Sequence, residues 1–347
     1  MLAPVLTEYR KVEMLEHPAP VSTAGSVIVK VGYASICGSD QHVWNGDFHP
    51  RTKLPFVQGH EFAGEIMEVG KGVKRFKAGD RVAVDPIFWC GKCAACAKGH
   101  FPACASLKLL GIDVDGGFAP YVSAQEHMLF KVPNNVDDRI AALVEVFSIG
   151  FHACNRAGLA NDDTAVIFGA GKIGQVILQA AMNRTNGDLY IVDILPERLA
   201  IARKSCPRVK TINASECDPV AAIKDLTNGR GTDVAFEAVG HYRTAISELS
   251  PVRQAVQTIR QGGTVCVLGL ADDPVPLVLK ELIWKEAKIV ASRVTHGEFA
   301  ESIDHLSKGL LNPNPLVTDI ITADKIQEAF LLLEREPEKH LKILVKH

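Results

Sequence analysis

Four of the nine cysteines lie within fifteen residues of the chain, at Cys90, Cys93, Cys96 and Cys104. Disulfides at two-residue separations would be strained, whereas four thiolates at this spacing can surround one metal ion. The spacing predicts a closed, tetrahedral Zn²⁺ site that stabilises its own loop and leaves no coordination position for catalysis. A set of free thiols is the alternative interpretation.

A second set of possible metal ligands is dispersed along the chain, with Cys37, His60 and Glu61 in the first part and Glu145 much later. Cysteine, histidine and a carboxylate can bind zinc and still leave a position for water or an alcohol, as catalysis requires. Each residue also has a simpler interpretation, such as a small buried side chain for Cys37 or a surface charge for Glu61. The spacing alone does not join them into one site.

A glycine-rich turn follows a short apolar stretch that is predicted as a buried strand. Gly169, Gly171 and Gly174 have the spacing G-x-G-x-x-G and precede an apolar helix. In this context the glycines allow a tight turn, close approach of the backbone to a pyrophosphate, and packing of helix on strand. The next predicted strand ends at Asp193, where a carboxylate can accept hydrogen bonds from an adenosine ribose. The pattern favours dinucleotide binding over a glycine turn of an unrelated α/β fold.

The residues around Asp193 bear on which dinucleotide binds. Its carboxylate would repel a 2′-phosphate, and Ile194 and Leu195 offer that phosphate no positive partner. The sequence therefore favours NAD over NADP. Arg198 either borders the adenosine or is a solvated charge on a helix.

Two kinds of element must position these residues. The first 150 residues contain short β-like segments, such as 26–31, 62–69 and 81–84, which predict an irregular, mostly β domain. From about residue 140, strands alternate with longer helical stretches, which predicts an α/β fold with a doubly wound parallel sheet. The predicted strands of that sheet span residues 165–168, 189–192, 209–212, 234–237 and 264–268. After residues 288–292, two helical stretches and a terminal strand over 341–345 are predicted.

Composition and charge exclude several classes of protein. The chain has 347 residues, of which 47% are apolar and 22% charged, and this composition excludes disorder. The 38 basic and 40 acidic residues leave a net charge of −2, so no basic surface is expected to bind nucleic acid. No stretch has the ~20 uninterrupted apolar residues of a membrane span. Glu8 and Glu13 argue against a signal peptide, so we expect a cytoplasmic protein without a membrane partner.

The order of these motifs resembles that of the medium-chain zinc-dependent alcohol dehydrogenase family. Over essentially the whole chain, the motifs follow the family's order: Cys37-Gly-Ser-Asp-x-His42, Gly59-His-Glu61-x-x-Gly64, the four-cysteine loop, Asp115-Gly-Gly-Phe118 and the glycine-rich turn. The stretch around Glu145 looks like the sorbitol dehydrogenase and sugar-acid (hexonate) dehydrogenase branch. In that branch, a glutamate replaces the third ligand cysteine of ethanol-type enzymes.

The resemblance implies a domain organisation. A GroES-like catalytic domain would comprise residues 1–150 and 291–347, with the structural zinc loop over 88–106. A Rossmann domain that binds NAD would be inserted over residues 151–290. The family also implies a homodimer or homotetramer, for which the apolar segment 274–283 is a possible contact surface, although it could equally belong to the core of its own chain.

The resemblance also implies residue roles. Cys37, His60 and Glu61 would bind a catalytic zinc, with Glu145 as a further ligand or acting through water. Ser39 and His42 would relay the alcohol proton through the cofactor ribose to solvent, while hydride passes to the nicotinamide. Around the cofactor, the resemblance places Ile173, Arg198, Leu268, Gly269, Leu270 and Ser292. Trp44, Glu145 and Arg293 would contact the substrate. Each chain would thus carry two zinc ions and one NAD.

The substrate-facing positions depart from those of polyol-oxidising relatives. Val43 and Val294 stand where such relatives commonly have tyrosines. Trp44 and Arg293 then remain as polar groups, with His296 as a further candidate, and a guanidinium binds a carboxylate with two hydrogen bonds. The residues slightly favour a sugar acid and keep a polyol open, whereas threonine or a simple alcohol is a less favoured alternative. A zinc-stabilised binding protein without catalysis is the alternative from another class, and Arg293 in a surface ion pair is the alternative for that residue.

Overall fold

The computed structural model describes residues 1–240, 249–271 and 274–347. Its strands are β1 Leu2–Glu8, β2 Lys11–Glu16, β3 Ser26–Ser35, β4 Glu61–Val69, β5 Arg81–Val84, β6 Ile87–Phe88, β7 Lys108–Leu109, β8 Tyr121–Gln125, β9 Leu129–Lys131, β10 Ala165–Phe168, β11 Leu189–Asp193, β12 Lys210–Asn213, β13 Thr232–Glu237, β14 Ile259–Val267, β15 Lys288–Ala291, β16 Val317–Thr322 and β17 Lys342–Lys346.

Helices follow many of these strands along the chain. They are α1 Gly38–Asn45, α2 Ala94–Ala97, α3 Asp138–Ala141, α4 Val144–Ala157, α5 Lys172–Met182, α6 Pro196–Ser205, α7 Pro219–Leu226, α8 Pro251–Thr258, α9 Leu279–Lys285, α10 Phe299–Ser307 and α11 Ile326–Arg335. Within the described ranges, no helix combines the length and the apolar character needed to cross a membrane.

The chain divides into two compact units. The first contains residues 1–145, 295–309 and 317–347, and the second contains residues 146–294 and 310–316. The first unit is therefore assembled from three separate segments of the chain, of which residues 295–309 lie in sequence between the two segments of the second.

The second unit is built on a six-stranded parallel sheet with the order β12-β11-β10-β13-β14-β15. The central strands β10, β11 and β13 are buried along their whole length, as expected when helices cover both faces of a sheet. This sheet confirms the predicted α/β class and the doubly wound topology. Strand β10 has the predicted bounds, whereas β14 begins five residues earlier than predicted, at Ile259.

Two helices of this unit begin with residues that favour helix initiation. The Asp218 side chain accepts a hydrogen bond from the backbone at the start of α7, and Ser250 does the same for α8. A proline follows each of them, and proline is tolerated at the first helical position because its missing N–H has no partner there. Local sequence therefore determines where these helices start.

The first unit is built on a seven-stranded sheet in which β3 is the central strand. One edge of β3 pairs with β4, and the other pairs with β8 along its first half and with β17 near its end. The predicted segments 26–31, 62–69 and 81–84 lie in β3, β4 and β5. The mostly β character predicted for this part of the chain is confirmed.

The C-terminal part contains one strand more than predicted. The two predicted helical stretches are α10 and α11, and the predicted terminal strand is β17, but β16 lies between the helices and pairs in parallel with β17. Its residues are partly or fully exposed, because β16 is the edge strand of its sheet. An edge strand with mixed polar and apolar residues lacks the buried apolar pattern that predicts a strand from sequence.

The apolar segment 274–283 is only partly core. Leu277 and Leu282 pack against the buried residues of the second unit. By contrast, Leu279, Ile283 and Trp284 are 67, 74 and 71% exposed. These three side chains lie on α9, which precedes the edge strand β15.

Candidate functional site

The four clustered cysteines converge on one point of the first unit. The sulfur atoms of Cys90, Cys93, Cys96 and Cys104 all lie within 4.8 Å of one another. The backbone N–H of Cys93 donates to the Cys90 sulfur over 3.4 Å, and that of Cys90 donates to the Cys104 sulfur over 3.3 Å. N–H groups directed at sulfur stabilise thiolates, and four thiolates around one point fit Zn²⁺ without an open position.

The environments of two of these thiols differ. Hydrogen bonds from the backbone of Cys96 and Ala105 to the Cys93 thiol lower its pKa to about 6. Burial raises the pKa of Cys96 to about 12. A metal ion would remove this difference, since a coordinating thiol is deprotonated outright.

The dispersed ligands also converge, because of how β3 and β4 begin and end. Strand β3 ends at Ser35, Cys37 then caps the start of α1, and His60 directly precedes β4. Ligand atoms of Cys37, His60 and Glu61 lie within 4.8 Å of one another. Glu145 is not a member of that set. A thiolate, an imidazole and a carboxylate at this distance fit one zinc ion with room for a further ligand.

Gly59 permits the approach of His60 to this site. Its φ of 98° lies in the left-handed region, and an added Cβ would stand 2.6 Å from a ring carbon of Phe118. A Cβ on Gly116 would likewise stand 2.1 Å from the carbonyl oxygen of Gly59. The Asp115-Gly-Gly-Phe118 motif therefore packs against the backbone that carries His60.

Asp40 orients two of the ligands. Its Oδ2 accepts the backbone N–H of Cys37 over 2.9 Å, and its Oδ1 lies 3.2 Å from Nδ1 of His60. Burial alone would lower the pKa of His60, but the negative charges of Asp40 and Cys37 outweigh it and the pKa is raised. A carboxylate on one ring nitrogen directs the other nitrogen to the metal. The sequence motifs do not indicate this role for Asp40.

Ser39 and His42, the residues of the predicted proton relay, both lie on α1. Ser39 Oγ donates to the Cys37 sulfur over 3.3 Å and lies 3.2 Å from Nε2 of His60, so this hydroxyl stands at the candidate zinc site. His42 lies one helical turn further along α1. Its Nδ1 is 2.7 Å from Oδ2 of Asp47, a partner that no sequence motif indicates.

Glu61 has an unexpected partner. Lys342 donates from Nζ to Oε1 of Glu61 over 2.6 Å and also to Oε2, and both side chains are buried. Burial would raise the pKa of Glu61, but the charges of Lys342 and His60 outweigh it and the pKa is lowered. In the sequence, the pairing of Lys342 is indicated only by its position as a lysine within the apolar segment 341–345.

Glu145 is buried at the start of α4. Its Oε2 has no hydrogen-bond partner among the described residues. Burial, and then the negative charge of Glu61, raise the pKa of Glu145 well above its ordinary value. A buried carboxylate oxygen without a donor is an available ligand for a cation or for a polar group of a substrate.

Trp44 lies in the core of the first unit and is 1% exposed. Its ring stacks on Phe330 at 5.4 Å between centroids, and the Arg10 guanidinium lies 4.3 Å from its centroid. These contacts are those of a packed core residue.

The glycine-rich turn of the second unit has the geometry of a phosphate-binding turn. Gly169 has a φ of 94°, and a Cβ on Gly174 would stand 1.7 Å from the carbonyl oxygen of Gly169. Around Gly171, by contrast, the nearest atom to such a Cβ is a guanidinium nitrogen of Arg198 at 3.8 Å. The turn is closed on the helix side and open above Gly171, where α5 begins, so an anion could approach the helix N-terminus.

Asp193 lies at the end of β11 and holds this turn. Its Oδ2 accepts the N–H of Ala170 over 2.6 Å, and its Oδ1 accepts the N–H of Leu195 over 2.9 Å. Each carboxylate oxygen has a second lone pair, so both bonds are compatible with a further donor such as a ribose hydroxyl.

The other predicted cofactor residues lie at the same edge of the sheet. Leu268, Gly269 and Leu270 follow β14, and the N–H of Leu268 donates to the carbonyl of Glu237 over 2.8 Å. Ser292 follows β15, where its N–H donates to the carbonyl of Val267 over 3.0 Å. Ile173 is in the first turn of α5. Ligands of open parallel sheets bind at the carboxyl ends of the strands, where these residues lie.

A parallel sheet with a phosphate-binding turn, together with two clusters of zinc-type ligands, defines a nucleotide-dependent metalloenzyme. Residues 23–134 match the family model of the alcohol dehydrogenase GroES-like domain, and residues 173–308 match that of the zinc-binding dehydrogenases. The chain belongs to the medium-chain zinc-dependent alcohol dehydrogenase family, in its sorbitol and sugar-acid branch. It is an oxidoreductase that acts on alcohols, with zinc and a nicotinamide dinucleotide as cofactors.

Several relatives are similar along nearly their whole length. Sorbitol dehydrogenase of Bacillus subtilis is 33% identical, and the alignment covers 99% of this chain and 97% of that protein. L-idonate 5-dehydrogenase of Vitis vinifera is 33% identical, with 88% and 83% covered. The alcohol dehydrogenase rspB of Escherichia coli CFT073, solved with NADH, has a TM-score of 0.91 and 31% identity, with 100% and 99% covered.

Proposed function

We propose that this chain transfers a hydride from a secondary alcohol of a sugar acid (hexonate) or a polyol to NAD, with a slight preference for the acid. The proposal depends mainly on the position of Ser292 and Arg293, which directly follow β15. Ser292 is held at the carboxyl edge of the sheet, and Arg293 follows it with a guanidinium suited to a carboxylate. Val43 and Val294 remove the tyrosine hydroxyls that a polyol would use.

The backbone at Val294 supports a functional role for this segment. Val294 has a φ of 48°, and a β-branched residue in the left-handed region is a rare and costly conformation. Such conformations are retained where the surrounding structure holds a ligand-binding segment in place. We propose that this turn sets the direction of Arg293 toward the substrate carboxylate.

Cys37, His60 and Glu61 would hold the catalytic zinc, with Glu145 adjacent. A zinc ion held by these residues would supply Lewis-acid chemistry at the substrate oxygen. Ser39 would take up the hydroxyl proton of the substrate while it passes its own proton on toward His42, because its Oγ stands beside both Cys37 and His60. His42 exchanges a proton with solvent through its exposed edge, and Asp47 holds its ring. Cys90, Cys93, Cys96 and Cys104 would hold the structural zinc.

We further propose that the cofactor domain spans residues 151–290 and binds NAD rather than NADP. Asp193 would accept the ribose hydroxyls, and Ile194 and Leu195 leave a 2′-phosphate without a positive partner. Arg198 would border the adenosine. Trp44 is left out of the proposed substrate pocket because Phe330 and Arg10 cover its ring.

A paired substrate panel tests the substrate. NADH formation by the zinc-loaded protein is followed with each hexonate and its matching hexitol at equal concentration. We expect a clear hexonate preference that Arg293→Ala removes through a higher KM, while Arg293→Lys keeps part of it because it keeps the charge. A hexitol preference that is unchanged in Arg293→Ala would overturn the role of Arg293 and leave a polyol dehydrogenase.

The same enzyme is proposed to be a homodimer or homotetramer. Leu279, Ile283 and Trp284 are exposed apolar side chains of α9, and a second copy would bury them. We expect wild-type protein to sediment as an oligomer and Ile283→Lys to shift it toward the monomer. A monomeric wild type at micromolar concentration would contradict this proposal.

A further inference from the structure

We propose that Lys342 is a positioning residue of the catalytic zinc site. It holds the Glu61 carboxylate in the orientation that binds the metal, and the catalytic zinc is retained only while Lys342 holds Glu61 in this way. The inference rests on the proposed zinc site and concerns a residue that the proposed function does not use.

The sheet places Lys342 next to the candidate ligands. Leu344 of β17 pairs with Ser35 of β3, and Ser35 pairs on its other side with Glu61 of β4. Continued by two residues, the register sets Lys342 opposite Cys37. Because side chains two residues apart on a strand share a face, Lys342 and Glu61 point to the same side of the sheet.

Lys342 makes a buried ion pair with both carboxylate oxygens of Glu61. Lys342 is 1% exposed, and lysine is almost never buried this deeply unless it is paired. Its ammonium group binds both oxygens of Glu61, which removes the rotational freedom of the carboxylate. An oxygen that accepts one hydrogen bond keeps a second lone pair, so the clamped carboxylate can still coordinate a metal ion.

The charges around the site give this ion pair a second effect. Glu61 and the Cys37 thiolate are negative groups in a region with little access to solvent. Without a nearby cation, the Cys37 thiolate would repel Glu61, since like charges repel strongly in a medium of low dielectric constant. Lys342 offsets this repulsion and keeps Glu61 close to His60. An ordinary buried ion pair that only stabilises the fold would have no influence on metal release.

Metal retention distinguishes the two roles. Zinc per chain is measured after gel filtration, and its release is followed with a chromogenic chelator in wild type, Lys342→Met and Lys342→Arg. We expect two zinc ions in wild type, and in Lys342→Met a release of one of them that is about 10–100-fold faster. The zinc of the four cysteines serves as an internal reference and stays bound. Lys342→Arg, which keeps the charge and offers a forked pair of donors, restores slow release.

A spectroscopic measurement gives a readout besides activity. Co²⁺ in the second site reports ligand geometry through its visible absorption bands, and we expect these bands to change in Lys342→Met and to return in Lys342→Arg. Arg81→Met is the matched control, because it removes a cation that pairs with Asp138 in the same unit, away from the candidate ligands. It should lower Tm without changing zinc release. If Lys342→Met does not fold, Lys342→Gln is measured, and its neutral donor should give an intermediate release rate.

The outcomes separate this inference from the proposed function. If Lys342→Met and Lys342→Gln keep both zinc ions with wild-type release rates and Co²⁺ bands, the positioning role is wrong, whatever happens to Tm. It is also wrong if wild type binds only the zinc of the four cysteines. If wild type holds two zinc ions, Lys342→Met loses one, and no hexonate or polyol is oxidised, the inference stands and the substrate proposal fails.

Discussion

His42 and Asp47 are joined by a hydrogen bond of 2.7 Å between Nδ1 and Oδ2. Gly46 makes this pair possible, because its φ of 93° ends α1 and turns the chain so that the N–H of Asp47 donates to the carbonyl of His42. The carboxylate occupies one ring nitrogen and leaves Nε2 for proton exchange. Histidine and carboxylate in this arrangement are typical of proton transfer sites.

Replacement of Asp47 by alanine is expected to slow turnover. Without the carboxylate the imidazole loses its fixed orientation, so kcat should fall by about tenfold, a part of the ~10²–10⁴-fold that general acid–base catalysis supplies. KM should change little, because the ring does not carry the substrate's binding energy. Steady-state kinetics at saturating NAD provide the measurement. Tyr9→Phe, which removes a neighbouring bond to His49, is the control and should leave kcat unchanged; equal kcat in Asp47→Ala and wild type would refute the relay assignment.

Replacement of Gly59 by alanine is expected to disturb the fold and the zinc site together. The added methyl group meets Phe118 at 2.6 Å and forces a left-handed residue to carry a Cβ. Gly72→Ala is the matched control, since Gly72 has a similar φ of 91° and open space around it. The control should lose about 1–2 kcal/mol of unfolding free energy from backbone strain alone. Gly59→Ala should lose a further ~1–3 kcal/mol of unfolding free energy from overpacking and should release the catalytic zinc. Equal losses of unfolding free energy in both variants, measured by urea unfolding, would contradict the packing argument.

Replacement of Cys96 by serine is expected to remove one zinc ion and open the loop over 88–106. A tetrahedral site with three thiolates binds zinc far less tightly, and only Cys96, Pro102 and Cys104 of the loop are buried. Zinc content should fall from two to one per chain, and limited proteolysis should cut within the loop. Cys217→Ser, at an exposed cysteine outside the cluster, is the control. Retention of two zinc ions in Cys96→Ser would show that the four cysteines do not form a metal site.

Asp85 is expected to make the protein less stable as pH rises. Burial raises the pKa of Asp85 to about 7, from an ordinary value of 3.8. The folded state therefore holds a proton that the unfolded state has released, so stability falls between about pH 4 and pH 7 by up to about 4 kcal/mol. Asp85→Asn keeps an acceptor for the N–H of Ile87 and removes this loss.

The test of Asp85 is a difference between two proteins at several pH values. Wild type and Asp85→Asn should have similar Tm near pH 4, and the variant should be the more stable at pH 8. Asp80→Asn is a control of opposite sign, because a hydrogen bond from Lys131 lowers the pKa of Asp80 and this pairing is present only once Asp80 is ionised. A Tm difference between wild type and Asp85→Asn that does not vary with pH would contradict the prediction.

Features that depend on contiguous residues were predictable from the sequence. One such feature is the strand over 165–168 with the turn at Gly169 and the helix that follows. These elements are adjacent in the chain, so the spacing of the glycines predicts their geometry directly. The four cysteines are a similar case, because a loop of fifteen residues must bring its thiols close together. The family, the α/β class and the two cofactors followed from such local patterns and are confirmed.

Features that depend on strand pairing were decided by the tertiary structure. Lys342 lies 281 residues after Glu61, and the two meet only because β17 and β4 both pair with β3. Nothing in the local sequence of β17 states its neighbour or its register. The burial of Trp44 between Phe330 and Arg10 has the same origin, since these residues come from distant parts of the chain. Local sequence determines turns, caps and short metal loops through steric and hydrogen-bonding rules, whereas side chains from distant strands are brought together by the register of the sheet, which the whole chain sets by burying its apolar faces.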